Sequence, residues 1–310
     1  MGVSAPRTAD RREARIQSGG VAGVWRLRAS ESSEQWAEKN PQGPDFGDAG
    51  GAPGAALPCV LRKAARLLCL PGPGMMPNSC ERSHMDKTTA QLLLGSLYGL
   101  RDPSELQQLS KQYSNIKLLQ LDVVCENSIK KVVKEVEEIV GDKGLNCLIN
   151  NAGINVLASL EEVTAETMLT IYETNTVAQL MVTKAFLPLL RKAAQLSTGM
   201  GCHRAAIINM SSLAASMQLV QANEMFLKVY PYRIAKTALN MITRCLAADL
   251  KSDGILCISL HPGWLQTDMG GNMAPMQVQE AIPGILSVLD RLGEKENGSF
   301  LDWQGETLPW

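Results

Sequence analysis

The chain has 310 residues, 45% of them hydrophobic and 20% charged, with a formal net charge of −1. That length suffices for one large α/β domain or two small ones. The near-neutral balance gives no electrostatic case for nucleic acid or an anionic membrane as the main partner. No apolar run reaches the roughly 18 residues of a membrane span. The N-terminus lacks the apolar stretch of a secretory signal, so a cytoplasmic location is expected.

Residues 1–84 hold 8 of the 15 prolines and 11 of the 26 glycines. That is roughly double the average usage of about 12% for the two together. With no sustained periodicity, this stretch is expected to be an unrelated, largely disordered leader. One piece, LPCVLRKAARLLCL over 57–70, has the pattern of a short amphipathic helix. Asp10, Glu13, Glu31, Glu34 and Glu38 argue against a transit peptide, which is poor in acids.

From residue 85 the pattern alternates. IKLLQLDV over 116–123 predicts a strand. Residues 126–140 predict a helix with Ile129, Val132, Val133, Val136, Ile139 and Val140 on one face. A short strand over 145–150, one or two helices over 161–190 and a strand over 205–210 follow. Then come a helix over 232–251, a strand over 255–260, a helix over 276–292 and an edge strand over 298–302. Apolar strands separated by helices imply a parallel sheet covered on both faces, the doubly wound, Rossmann-like α/β class. The eight cysteines form no C-x-x-C pair and there are three histidines, so no metal centre is expected.

Sites in such sheets lie beyond the carboxyl ends of the strands. Asn151-Ala152-Gly153 follows the strand ending at Asn150. It is either an ordinary turn or a place where glycine admits a flat ligand to the backbone. Ser211-Ser212 follows the next strand, where serine is also a common cap. Tyr232 and Lys236 lie four apart on a helix and share a face. An ammonium there is expected to lower the tyrosine pKa toward working pH, making the phenol a proton donor to a carbonyl oxygen. Tyr113 and Lys117 have the same spacing but run into a strand. His261-Pro262-Gly263-Trp264 follows the last long strand. Pro-Gly is a turn signal, and His261 reads as packing or capping.

Together, Tyr232-x-x-x-Lys236 on a helix, Ser211-Ser212, Asn150-Asn151-Ala152-Gly153 and Pro262-Gly263 resemble the short-chain dehydrogenase/reductase family. Within it the chain is most similar to sniffer-type carbonyl reductases and C-factor-like proteins. LNCLINNAGI, TNTVAQLMVTKAFLPLLRKAA, RAAIINMSS, YRIAKTALNM, SLHPGWLQTDMGG and NGSFLDWQGETLPW carry the likeness, over about 99–310. The resemblance implies NADPH-dependent reduction of a small carbonyl compound. Tyr232 is then the general acid, Lys236 the ribose-binding residue and Ser212 the residue that orients the carbonyl. Asn175 supports a proton-relay water. Asn151, Ala152 and Gly153 lie beside the adenosine ribose, and Asp122 meets the adenine. Pro262, Gly263 and Thr267 surround the carboxamide and phosphates, and Arg101 pairs with the 2′-phosphate. It also implies a dimer through the helices over 161–190 and 232–251.

The likeness stops at the front. Relatives open with a strand, a Thr-Gly-x-x-x-Gly-x-Gly turn, a helix and a second strand, and residues 1–100 show no match to that unit. LLCLPGPGMM supplies Gly72 and Gly74, but Pro71, Pro73 and Pro77 remove three N–H donors. In the family's strand order 3-2-1-4-5-6-7 the first strand is central. The expectation is therefore an incomplete domain over 85–310, and two readings stay open: an active reductase, or a non-catalytic isoform that pairs with intact relatives.

Overall fold

Strands that are apolar on both faces are stable only between helical layers, and that is how this chain is built. The computed structural model describes residues 92–97, 104–113, 116–220 and 229–310. In chain order the elements are β1 (Leu92–Leu97), α1 (Ser104–Gln112), β2 (Ile116–Leu121), α2 (Glu126–Val140) and β3 (Cys147–Asn150). They continue with α3 (Ala165–Tyr172), a π-turn (Glu173–Val177), α4 (Ala178–Ala194) and β4 (Ala206–Met210). The last are α5 (Tyr230–Asp249), β5 (Leu256–His261), α6 (Val278–Arg291) and β6 (Phe300–Asp302). The leader over 1–84 and Arg101 lie outside the described residues, as do Gly72, Gly74 and the rest of the LLCLPGPGMM stretch.

All pairing between these strands is parallel. β1 runs beside β2, and β3-β4-β5-β6 form a second sheet in that order. Among the described residues no ladder joins the two sheets. Ile207 and Cys257 face α2 and α4 through Val132, Val136, Val182, Phe186 and Leu190, a cluster that also takes in Leu121 and Val123. Ile208 and Ile258 face α6 through Ile282, Ile285 and Val288. The doubly wound α/β class is thus observed. One expectation is corrected: residues 92–97 do form a strand, β1, standing beside β2 as the family's second strand stands beside its third. Its run, LLLGSL, is short and carries a glycine, which weakened the signal.

Element ends follow from where backbone groups find partners. β2 stops at Leu121 because the amide of Asp122 turns to the Ser128 hydroxyl (2.9 Å) and Cys125 closes a turn on the Asp122 carbonyl. The helical stretch over 161–190 starts only at Ala165, where Thr164 caps the amide of Thr167. It then splits into α3 and α4 at the π-turn. α5 begins at Tyr230, two residues earlier than the apolar pattern indicates. Pro231 falls in its first turn, where the missing N–H leaves no bond unmade. Tyr113 and Lys117 part company as expected, since α1 ends at Gln112 and Lys117 lies on β2.

A line of polar side chains crosses the otherwise apolar second sheet. Asn150, Asn209 and Ser259 are in register on β3, β4 and β5. The Asn150 amide donates to Asn209 (2.8 Å) and to Thr183 on α4 (2.7 Å). The Asn209 amide donates to Thr243 on α5 (2.8 Å), and the Ser259 hydroxyl reaches the same Thr243 oxygen (2.8 Å). All five are buried.

Candidate active site

The ladder aligns the carboxyl ends of β3, β4 and β5, so the segments that leave them converge. Residues 151–155 leave β3, Ser211-Ser212 leave β4 and Pro262-Gly263 leave β5. α5 packs across this end and carries Tyr232 and Lys236 on its first two turns.

The two serines are used differently. Ser211 is buried and its hydroxyl donates to Asn240 on α5 (2.6 Å). Ser212 caps the 3₁₀ turn Leu213–Ala215, and its hydroxyl is near enough to the Tyr232 phenol to pull against the rise in that group's pKa. Ser212 is therefore the serine that faces the tyrosine. Thr237 of α5 holds the same turn through the carbonyl of Ala215 (2.9 Å).

Lys236 is buried, and its ammonium donates to the carbonyl of Met210 at the end of β4 (2.7 Å). It stands 5.8 Å from the centre of the Tyr232 ring. The expected lowering of the Tyr232 pKa is not what the geometry gives. Burial pushes the phenol up to about 12, against a smaller opposing pull from the Ser212 hydrogen bond. The ammonium stands by the Tyr232 ring and bonds the Met210 carbonyl. Tyr232 is consequently a protonated phenol at neutral pH.

Asn175 occupies the middle of the π-turn, an insertion in a helix that recurs at functional positions. Its side chain pairs with the backbone of Ile154 in both directions, accepting from its amide and donating to its carbonyl, each at 2.8 Å. Gly153 precedes that clamp. A Cβ built on it would lie 3.2 Å from the Asn175 amide oxygen and 3.6 Å from the Lys236 ammonium. Glycine here lets the loop backbone lie against both residues. Gln179 adds a third tie, donating to the carbonyls of Ala152 (3.0 Å) and Thr174 (2.8 Å). Thr176 fixes the π-turn to α5 through the carbonyl of Ala235 (2.8 Å). Gln179 and Thr176 were not singled out from the sequence. The available signal was polar residues on the buried face of an apolar helix.

The remaining candidates sit around this centre. Asn151 is half-buried in the loop after β3. Gly263 has a φ of 88°, and a Cβ there would meet Trp303 at 3.3 Å. Pro262 precedes it and Thr267 accepts from the amide of Gly270 (2.9 Å), which shapes the turn after β5. Asp122 lies apart from these, at the end of β2, with its carboxylate accepting from the Val124 amide (3.1 Å). Among the described residues no group of His, Cys, Asp and Glu is placed to hold a metal ion, and no helix is long and apolar enough to cross a membrane.

A nicotinamide cofactor is what the family uses. Buried Lys236 and a proton-bearing phenol beside Ser212 fit its nicotinamide ribose and reacting end, and Gly153, with no Cβ, leaves the adjoining loop backbone open to the rest of the cofactor. Comparison with known proteins agrees with this geometry. The model of a family described as short chain dehydrogenase matches residues 96–278. C-signal of Myxococcus xanthus is 37% identical over 169 residues, which are 54% of this chain and 93% of that protein. Carbonyl reductase Sniffer of D. melanogaster superposes with a TM-score of 0.70 at 38% identity, covering 82% of this chain and 95% of that one. An NADPH-bound carbonyl reductase from chicken fatty liver superposes with a TM-score of 0.63 at 42% identity, covering 68% and 82%. With the fold, the strand-end constellation and these matches in agreement, the chain belongs to the short chain dehydrogenase family of oxidoreductases, close to its sniffer-type carbonyl reductases.

Proposed function

We propose that this chain reduces an apolar carbonyl compound with NADPH. The observation that carries the reading is the set Ser212, Tyr232, Lys236 and Asn175, which stand at the carboxyl ends of the strands on three elements: the turn after β4, α5 and the π-turn. NADPH would supply the hydride to the carbonyl carbon. Ser212 orients the carbonyl oxygen, and the Tyr232 O–H donates the proton that oxygen needs as it becomes an alcohol. Lys236 holds the ribose and Asn175 keeps the 151–155 loop at the distance that exposes Gly153. Asn151, Ala152 and Gly153 line the adenosine ribose, Asp122 the adenine, and Pro262, Gly263 and Thr267 the carboxamide side. Arg101 pairs with the 2′-phosphate. Met217, Met269 and Met273, exposed in the segments after β4 and β5, favour an apolar substrate.

A second reading is favoured by a specific observation. No Thr-Gly-x-x-x-Gly-x-Gly turn occurs in the sequence, and the pyrophosphate depends on that turn for backbone donors. In this reading residues 1–84 are a leader unrelated to the domain over 85–310, and the chain is a non-catalytic isoform. It would pair with itself or with intact relatives through Leu169, Tyr172, Val177, Met181, Ile234 and Met241, which are exposed on α3, the π-turn, α4 and α5. Either form is proposed to be cytoplasmic. Titrating the purified chain with NADPH, then adding a carbonyl substrate, tests both. Binding with turnover supports the reductase. No binding, with a dimer by sedimentation, supports the isoform.

A further inference from the structure

The tail that follows β6 returns to the substrate side of the site. It turns back as a short antiparallel extension, with Asp302 and Glu306 and then Phe300 and Leu308 joined by backbone bonds of 2.9 and 2.8 Å. Its end, Trp310, is fixed by its ring. The indole stacks on buried Phe300 with ring centres 5.6 Å apart, and the Arg244 guanidinium stands 5.8 Å from it. Arg244 is itself held by the carbonyl of Gly298 (3.1 Å).

What this peg holds is a backbone oxygen. The oxygen of Trp310 accepts from the amide of Gln218 (2.9 Å) and from the hydroxyl of Ser216 (3.2 Å), a residue only 1% exposed. Ser216 in turn accepts from the amide of Leu219 (3.3 Å). Ser216 ends the 3₁₀ turn that Ser212 begins. Two anchors therefore fix the run from Ser212 to Gln218: Thr237 of α5 on one side and Trp310 on the other.

We infer that Trp310 is a positioning residue of the active site, whose ring pins the segment 212–218 and so sets both the aim of the Ser212 hydroxyl and the wall of the substrate mouth. The inference rests on the reductase reading only for its effect on substrate. The strap itself does not need that reading. An indole can do this because it is rigid, large and amphipathic: Trp310 keeps one side exposed while its ring stacks on Phe300, and that stacking fixes the attached backbone at small entropic cost. Removing the ring leaves the backbone oxygen of residue 310 in place but no longer pinned, so its bonds to the Ser216 hydroxyl and the Gln218 amide are made less often and the run from Ser216 loosens from its far end.

The test uses the full chain and three forms: parent, Trp310→Ala and Trp310→Phe. Hydrogen exchange is followed on peptides covering 213–220. In Trp310→Ala the amides of Gln218 and Leu219 are expected to exchange roughly tenfold faster, while those of β4 and β5 keep their protection. Trp310→Phe, which retains a ring on Phe300, restores most of the difference. Steady-state reduction of an aromatic ketone with NADPH is measured alongside. Here Trp310→Ala is expected to raise KM roughly fivefold or more with a smaller change in kcat and no change in NADPH affinity. Unchanged exchange at 218–219 overturns the strap. Faster exchange with unchanged KM overturns the positioning role. If the parent chain shows no turnover, the reductase reading falls and the exchange result alone decides whether the strap exists.

Discussion

The sheet β3–β6 and the sheet β1–β2 are built to different standards. β4 and the body of β5 are buried throughout, covered by helices on both faces and joined by the polar ladder. Every proposed catalytic residue hangs from this sheet or from α5 and the π-turn packed on it. β2 is fully buried only at its two ends, Ile116 and Leu121, and the only contact described for the Asp122 carboxylate after it is with the Val124 amide. β3, at the border, is half-buried over Cys147–Ile149. On the proposed reading, the difference separates the chemical step from the grip on the phosphates: the first needs a few side chains at strand ends, whereas the second needs a continuous strand, turn and helix.

The sharpest way to test the intact half is Tyr232→Phe. The ring and its packing stay and the proton donor goes, so turnover is expected to fall about 10²–10⁴-fold with an unchanged circular dichroism spectrum. Retention of more than a few per cent of the parent rate would remove Tyr232 from the chemical step. The other half is tested by addition. A strand, glycine turn and helix of the ordinary family kind, placed ahead of β1, restores two or three charge-assisted bonds of about 1.5–3 kcal/mol each. NADPH affinity by nucleotide fluorescence is expected to rise roughly a thousandfold. No gain would mean that the chain already holds the pyrophosphate by other means.

Smaller effects refine the comparison. Asn175→Ala breaks both bonds to Ile154 and leaves two half-buried backbone groups to find water. It should cost about 1–3 kcal/mol in denaturant unfolding and slow any reduction further. Arg101→Ala is expected to lower the NADPH-to-NADH affinity ratio roughly tenfold, as loss of a charge-assisted phosphate contact would. An unchanged ratio takes Arg101 out of the site. The least effect is on pH dependence. The fold raises the Tyr232 pKa from 10.0 to about 12, so it favours the neutral phenol. The resulting stability is present below pH 10.0 and lost as pH climbs toward about 12. The thermal midpoint of the parent should therefore drop more steeply over that range than that of Tyr232→Phe.

Much of the second sheet was legible because its strands are apolar throughout and its helices carry apolar faces at helical spacing. Most of the candidate site residues could be proposed from the sequence because they stand directly after such a strand or on the first turns of α5, whereas Asn175 lies in the π-turn. What escaped had a physical reason in each case. β1 is short and interrupted by Gly95, and α1 has a weak apolar face. The π-turn hides in a helix whose sequence gives no break. Gln179, Thr176 and Trp310 act through backbone carbonyls, or in Trp310's case through its own backbone oxygen, and no side-chain motif announces such partners. The direction of the Tyr232 pKa was misread because spacing tells that Lys236 shares a face, not that its ammonium is engaged by Met210.

The polar ladder across β3, β4 and β5 bears on how the chain finds this arrangement at all. LNCLIN, AAIINM and ILCISL are nearly interchangeable apolar strings, and parallel strands of that kind gain similar burial in several alignments. A slip by one residue would turn Asn150, Asn209 and Ser259 away from Thr183 and Thr243 and strand them in apolar surroundings. Each stranded group costs about 1–3 kcal/mol, so a slipped sheet loses an amount comparable with the whole net stability of a domain, about 5–15 kcal/mol. The ladder thus acts as an alignment check during assembly, rejecting pairings in which Asn151, Ser212 and Pro262 would leave the sheet at different heights.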